Sequence, residues 1–227
     1  MDHLWATLLP AQEWLTCAGR LAYPIFAFMA VEGYFHTRSF QKYALRMLVF
    51  AVLSEVPFNL MCGGTWFYPV HQNVIWTLLM GLLGVHLLET VRRNQNPALF
   101  AAAAVGVILA GRCWDPLHGR LLRCRRADGA CFLLFPVGRA MVGGLAGQLA
   151  RAVLAQCRDA GRLMYPVQLF GASFEICQQG FALLALVPIW LYRGRQGYHS
   201  RWFQYFCYAF YPVHMLVLAL ALQFLNR

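Results

Sequence analysis

Residues 21–35 read LAYPIFAFMAVEGYF and residues 43–61 read YALRMLVFAVLSEVPFNLM. Each is a near-continuous apolar run, and the second is long enough to cross a bilayer, which takes about 20 mostly apolar residues. Further runs at 74–91, 97–111, 129–150, 167–192 and 202–225 repeat the pattern. The reading is an all-α polytopic transmembrane helical bundle with about six or seven membrane segments. Residues 4–15 (LWATLLPAQEWL) are too short to span and hold Pro10 and Glu13, so they read as an interfacial segment or loop.

Composition agrees. The chain of 227 residues is 60% hydrophobic and 12% charged, where a soluble domain has about 25% charged residues. Mean hydropathy is +0.51. So few charges exclude an ordinary water-facing domain and an intrinsically disordered chain. The whole of 1–227 reads as a single membrane domain in a lipid bilayer.

The formal charge is +10, and Lys42 is the one basic residue that is not Arg. In a soluble protein this would suggest nucleic acid. Here the cations cluster between apolar runs, so they read as loop charges that orient the chain, with no nucleic-acid partner. Linkers 36–46, 92–96 and 193–201 are basic, while 62–73 (CGGTWFYPVHQN) has no Lys, Arg, Asp or Glu. The positive-inside rule places the first three in the cytoplasm and the last outside. Residues 112–126 (RCWDPLHGRLLRCRR) carry five Arg where simple alternation expects the outside. Gly143 and Gly147 form a GxxxG spacing that favours close helix approach. The eight cysteines form no CxxC pair, so no metal site is expected, and most read as small buried hydrophobes.

Ionisable residues inside spanning runs are costly and often functional. Glu32, Glu55 and His214 are the foremost examples. Glu32 and His36 are four apart, share a helix face and can pair. Glu89 can pair with Arg92 or Arg93 at a helix end, and His86 reads as a packed histidine. Glu55 precedes Pro57, where a helix bends and frees a carbonyl. Asp2–His3 sets a carboxylate beside an imidazole, but a bare dipeptide is a weak signal.

Across residues 18–59 the chain resembles the TraX family, fimbrial-acetylase-like membrane proteins related in outline to transmembrane acyltransferases. The matching elements are Gly19-Arg20, Pro24-x-Phe26-Ala27-Phe28, Glu32-Gly33, His36-Thr37, Arg46 and Ser54-Glu55-x-Pro57-Phe58. Gln72-Asn73-Val74 with Thr77 resembles the next block. Gly180-Phe181-Ala182-Leu183-Leu184, Tyr192-x-Gly194-x-x-Gly197 and Phe210-Tyr211-Pro212-x-His214 resemble C-terminal ones. Together they cover most of 1–92 and 167–222. Family members carry an Asp-His pair at the end of a first membrane helix. The pair here is Asp2-His3, so the resemblance implies a first family helix missing upstream of Met1. The stretch 112–139 departs from the family's usual Asp-Tyr-Gly-like element and smooth helix.

The resemblance implies acetyl transfer from cytoplasmic acetyl-CoA to an acceptor at or across the bacterial inner membrane, a pilin amino terminus or a glycan. It implies His3 as the base, oriented by Asp2. Arg20, Arg38, Lys42 and Arg46 would meet the CoA phosphates. Glu32 and His36 would shape the reaction chamber, and Glu55 would hold Arg20 or Arg46 in place. Asn73, Tyr211 and His214 would contact the acceptor or the oxyanion. The alternative is a non-enzymatic membrane protein, such as a small transporter or an accessory subunit of a conjugation or secretion apparatus.

Overall fold

A computed structural model describes residues 2–9, 11–68, 72–106, 164–169, 172–192, 194 and 200–225. The expected segment at 129–150, the GxxxG spacing, the basic stretch 112–126 and the departure at 112–139 lie outside the described residues. The chain is a helical membrane protein. Its elements are α1 (Asp2–Thr7), α2 (Glu13–Gly19), α3 (Ala22–His36), α4 (Phe40–Gly63), α5 (Val74–Arg93) and α6 (Pro97–Gly106). After these come β1 (Met164–Leu169), β2 (Ala172–Cys177), a 3-10 helix (Gln178–Ala185), α7 (Leu186–Leu191) and α8 (Arg201–Leu225).

Among the described residues four runs are long and apolar enough to cross a membrane: Glu13–His36, Phe40–Gly63, Val74–Arg93 and Arg201–Leu225. The 24-residue runs extend about 36 Å at 1.5 Å per residue, against about 30 Å of hydrocarbon. Large apolar side chains such as Leu53, Trp202 and Phe224 lie 64%, 84% and 75% exposed. A soluble surface rarely carries so much exposed apolar area, whereas lipid covers it at no cost.

The helix ends follow local rules. Gly64 adopts φ +65°, and its N–H bonds the Leu60 carbonyl to close α4. Asn73 caps α5 by accepting from the Ile75 N–H at 3.0 Å. Asn96 accepts from the Ala98 and Leu99 N–H groups and starts α6, whose first residue is Pro97. At the C-terminus of α5, Glu89 pairs with Arg92 at 3.4 Å and Arg93 at 3.5 Å, as the spacing predicts.

Two apolar clusters join the helices. Ala27, Phe28 and Val31 of α3 meet Leu78 and Val85 of α5 and Leu186 and Ile189 of α7. Phe58 and Met61 of α4 meet Met215, Leu218 and Ala219 of α8, with Leu4 of α1 and the adjoining Leu8 against them.

Two segments differ from expectation. Residues 13–15, read within an interfacial segment or loop at 4–15, begin α2, which joins the first spanning run. Glu13 sits in the first turn of α2, where a carboxylate suits the helix dipole. Residues 167–192, read as a strong span, hold no spanning helix. Met164–Leu169 and Ala172–Cys177 form an antiparallel hairpin, paired from Met164 with Cys177 to Leu169 with Ala172, and the rest is the 3-10 helix and α7. Aromatic and β-branched residues there favour extended backbone. The run at 97–111 is described only as the ten-residue α6, Pro97–Gly106.

The connectivity gathers charge at one end. His86 of α5 stacks on Phe40 at the start of α4, with ring centroids 3.7 Å apart. Tyr34, near the end of α3, hydrogen-bonds His86 Nδ1 at 3.1 Å. Hence linker 36–46 and the Arg92–Arg93 end of α5 share one end of the bundle. The loop with Trp66 and Phe67, 75% and 77% exposed, lies at the opposite end, and 62–73 itself carries no Lys, Arg, Asp or Glu.

Candidate functional site

A cavity of about 1210 Å³ opens at the basic end. Glu32 and His36 from α3, Arg38 from the following turn and Lys42 and Arg46 from α4 line one side. Pro188 and Ile189 of α7, Tyr192, and Gln204 and Tyr208 of α8 line the other. Five of the residues singled out from sequence thus share one wall.

Within it, His36 Nδ1 lies 2.9 Å from the Glu32 main-chain carbonyl and 3.7 Å from Glu32 Oε1. A carbonyl only accepts, so this bond puts the proton on Nδ1 and leaves Nε2 with the lone pair. The Arg46 guanidinium lies 5.9 Å from the Tyr43 ring centroid, and its Nε donates to the Lys42 carbonyl at 3.3 Å. Tyr43 in turn donates to the Ala30 carbonyl at 3.0 Å and ties α4 to α3. Gly33 makes room for that bond, because a Cβ there would sit 2.9 Å from the Tyr43 hydroxyl. Gly33→Ala is therefore expected to displace Tyr43 and destabilise the protein by roughly 1–3 kcal/mol. Thermal unfolding in detergent measures this; Gly33→Ala combined with Tyr43→Phe should recover part of the loss.

Arg20 lies elsewhere. It ends α2, sixteen positions before His36, or about 24 Å along the run, and does not line the cavity. Its Nε is buried without a hydrogen bond among the described residues.

A second polar group sits toward the opposite end. The Glu55 carboxylate accepts from Asn73 Nδ2 at 2.5 Å and from Trp76 Nε1 at 3.0 Å. Asn73 is 1% exposed and also donates to the Ala51 carbonyl at 2.9 Å. Glu55 thus ties α4 to the capped start of α5; among the described residues it holds neither Arg20 nor Arg46. Asn73 has both side-chain polar atoms engaged inside the protein. Sequence reasoning missed Trp76, although its i+3 spacing from Asn73 places it on the same side of the helix start.

The third group unites the two ends of the chain. His3 on α1 and His214 on α8 have ring centroids 5.6 Å apart. Phe58 of α4 meets His3 edge-on at 6.3 Å, and Tyr211 meets His214 edge-on at 5.6 Å. His214 Nδ1 bonds the Phe210 carbonyl at 2.9 Å. The side chain of Asp2 lies outside the described residues. Phe58 stands twelve residues beyond Arg46, about 18 Å along α4. Tyr208 of the cavity wall lies within one turn of Tyr211 on α8, and Phe50 touches both at 5.9 Å. The basic cavity and the histidine pair are therefore joined by an aromatic seam between α4 and α8. Among the described residues no group of three or more His, Cys, Asp or Glu is placed to hold a metal.

Comparison with known proteins adds two findings. The family model for TraX protein matches residues 1–115, just over half of the chain. The chain is 26% identical, over 246 aligned positions, to the probable fimbrial assembly protein FimC, serogroup H1, of Dichelobacter nodosus; the alignment covers all of this chain and 91% of that protein. No solved structure matches it.

Proposed function

The chain belongs to the TraX family, and on that premise we propose that it is an inner-membrane acetyltransferase, moving acetyl from cytoplasmic acetyl-CoA to an acceptor at or across the bilayer. The supporting observation is the basic cavity. Arg38, Lys42 and Arg46 set three cations around a cavity of about 1210 Å³ at the end that the positive-inside rule assigns to the cytoplasm. A nucleotide carrying several phosphates suits this chemistry, since guanidinium and ammonium groups make strong charge-assisted bonds to phosphate oxygens. Tyr43 beside the cations and Tyr192 and Tyr208 across from them add aromatic surface to the cavity.

Acetyl-CoA supplies an activated thioester when bound. Arg38, Lys42 and Arg46 hold its phosphates, and Arg20, outside the cavity, takes no part there. Glu32 and His36 order the entrance: the Glu32 carbonyl fixes the His36 ring through Nδ1. His3 removes the proton of the acceptor's amine or hydroxyl as it attacks the thioester carbonyl. The name of the Dichelobacter relative, a probable fimbrial assembly protein, supports a pilin amino terminus as acceptor; a glycan hydroxyl meets the same chemistry.

The same name also suits the alternative, a non-enzymatic subunit of an assembly apparatus, and CoA binding separates the two. Purified chain in detergent is expected to bind CoA, and each of Arg38→Ala, Lys42→Ala and Arg46→Ala to weaken binding about tenfold, or about 1.4 kcal/mol. Raising the salt should weaken it further. Calorimetric titration reads this. No CoA binding by the intact chain, or binding indifferent to all three substitutions, contradicts the proposal.

A further inference from the structure

His214 is held by more than packing. Its Nδ1 lies 2.9 Å from the Phe210 carbonyl, one turn earlier on α8. The carbonyl only accepts, so the proton sits on Nδ1 and the lone pair on Nε2. The ring stacks on Phe210, with centroids 5.2 Å apart and planes 18° apart, and so cannot turn without losing both contacts. Beside it stands His3, with its ring centroid 5.6 Å away and its plane tilted by 37°. Two imidazoles from opposite ends of the chain thus adjoin at membrane depth, one with its tautomer fixed by the backbone. Titratable groups on the elements packed around them include Asp2, Glu55, Cys62, Cys207, Tyr208 and Tyr211. Of these, Tyr211 touches His214 and Glu55 is bound by Asn73 and Trp76.

We propose that His214 is the proton-holding partner of His3, a positioning residue whose Nε2 shares the proton that His3 takes from the acceptor. The inference rests on the acetyl-transfer reading. As the acceptor nitrogen or oxygen bonds the carbonyl carbon, the C–S bond breaks and its electron pair stays on sulfur. The acceptor proton passes to His3, is shared with His214 Nε2, and returns to the leaving thiolate. Nothing is oxidised or reduced. Sharing one proton also keeps the pair at a single positive charge; a second charge at this distance would be repelled strongly in a low-dielectric surrounding.

Two measurements on the purified full chain test the pair. In acetyl-transfer kinetics, His214→Ala is expected to lower kcat about 10²-fold, the lower range for a lost acid–base group, with the KM for acetyl-CoA unchanged. Added imidazole should recover part of the loss in His214→Ala but not in His214→Gln, whose side chain fills the space. Retained CoA binding certifies that the variants are folded. A kcat within twofold of wild type, or a loss that imidazole does not recover, overturns the proposal. In 15N-histidine NMR, which needs no activity, His214 is expected in the Nδ1–H tautomer, with its Nε2 resonance moving in His3→Ala. An Nε2–H tautomer, or a resonance indifferent to His3, overturns it. Should the wild-type chain transfer no acetyl at all, the functional reading fails and the NMR result alone decides whether the pair exists.

Discussion

Replacing His3 with alanine is expected to lower the turnover of acetyl transfer by about 10²–10⁴-fold, the range seen when a general base is removed. The KM for acetyl-CoA should stay close to wild type. The split follows from the layout: the cations that meet the donor line the cavity, whereas His3 sits against Phe58 and His214 beyond the aromatic seam. Loss of a group that acts in the transition state falls on kcat, and loss of uniform binding falls on KM. Steady-state kinetics in detergent or proteoliposomes separates the two. Unchanged acetylation at normal expression would remove His3 from the base role. A rise in KM alone would move it to the donor site.

The second large effect is structural. Asn73→Ala is expected to destabilise the protein by about 2–3 kcal/mol. It deletes the α5 cap, worth about 1 kcal/mol, and leaves the Glu55 carboxylate with Trp76 alone. An unpaired buried group costs about 1–3 kcal/mol, and hydrogen bonds between membrane helices average about 0.6 kcal/mol, which keeps the sum modest. Asn73→Ser should recover the cap but not the bonds to Glu55 and Ala51, so roughly a third of the loss. Reversible unfolding in mixed detergent measures both variants. If Asn73→Ala unfolds like wild type, α4 and α5 are held by apolar packing and the polar knot is incidental.

How much of this was legible in the sequence depends on range. The spans at 40–63, 74–93 and 201–225 follow from apolar length alone. Local pairs were equally readable: Glu89 with Arg92 and Arg93, and Glu32 with His36, lie at helical spacing and meet. Residues 13–15 were read with the interfacial segment or loop at 4–15 because Pro10 and Glu13 look like breakers, although a carboxylate is favourable in a first helical turn. Residues 167–192 were misread because hydropathy cannot distinguish an apolar helix from an apolar hairpin without weighing β-propensity.

The site divides in the same way. Arg38, Lys42 and Arg46 were readable as a group because one helical turn and one linker carry them. Their opposite wall, Tyr192, Gln204 and Tyr208, comes from residues about 150 positions later, and only tertiary structure brings it there. The partner of Glu55 was unreadable for that reason. Charge complementarity pointed to an arginine, whereas the fold supplies neutral donors, Asn73 and Trp76. The juxtaposition of His3 with His214 joins the two ends of the chain and has no local signature at all.

The most direct test of the functional account is a transfer assay with acetyl-CoA labelled in the acetyl group, using the purified intact chain in proteoliposomes with a pilin amino-terminal peptide or a glycan as acceptor. The account predicts time-dependent label on the acceptor, stoichiometric release of free CoA thiol, and loss of both in His3→Ala. Absence of label and of thiol release with either acceptor, from protein that is folded and binds CoA, would contradict it.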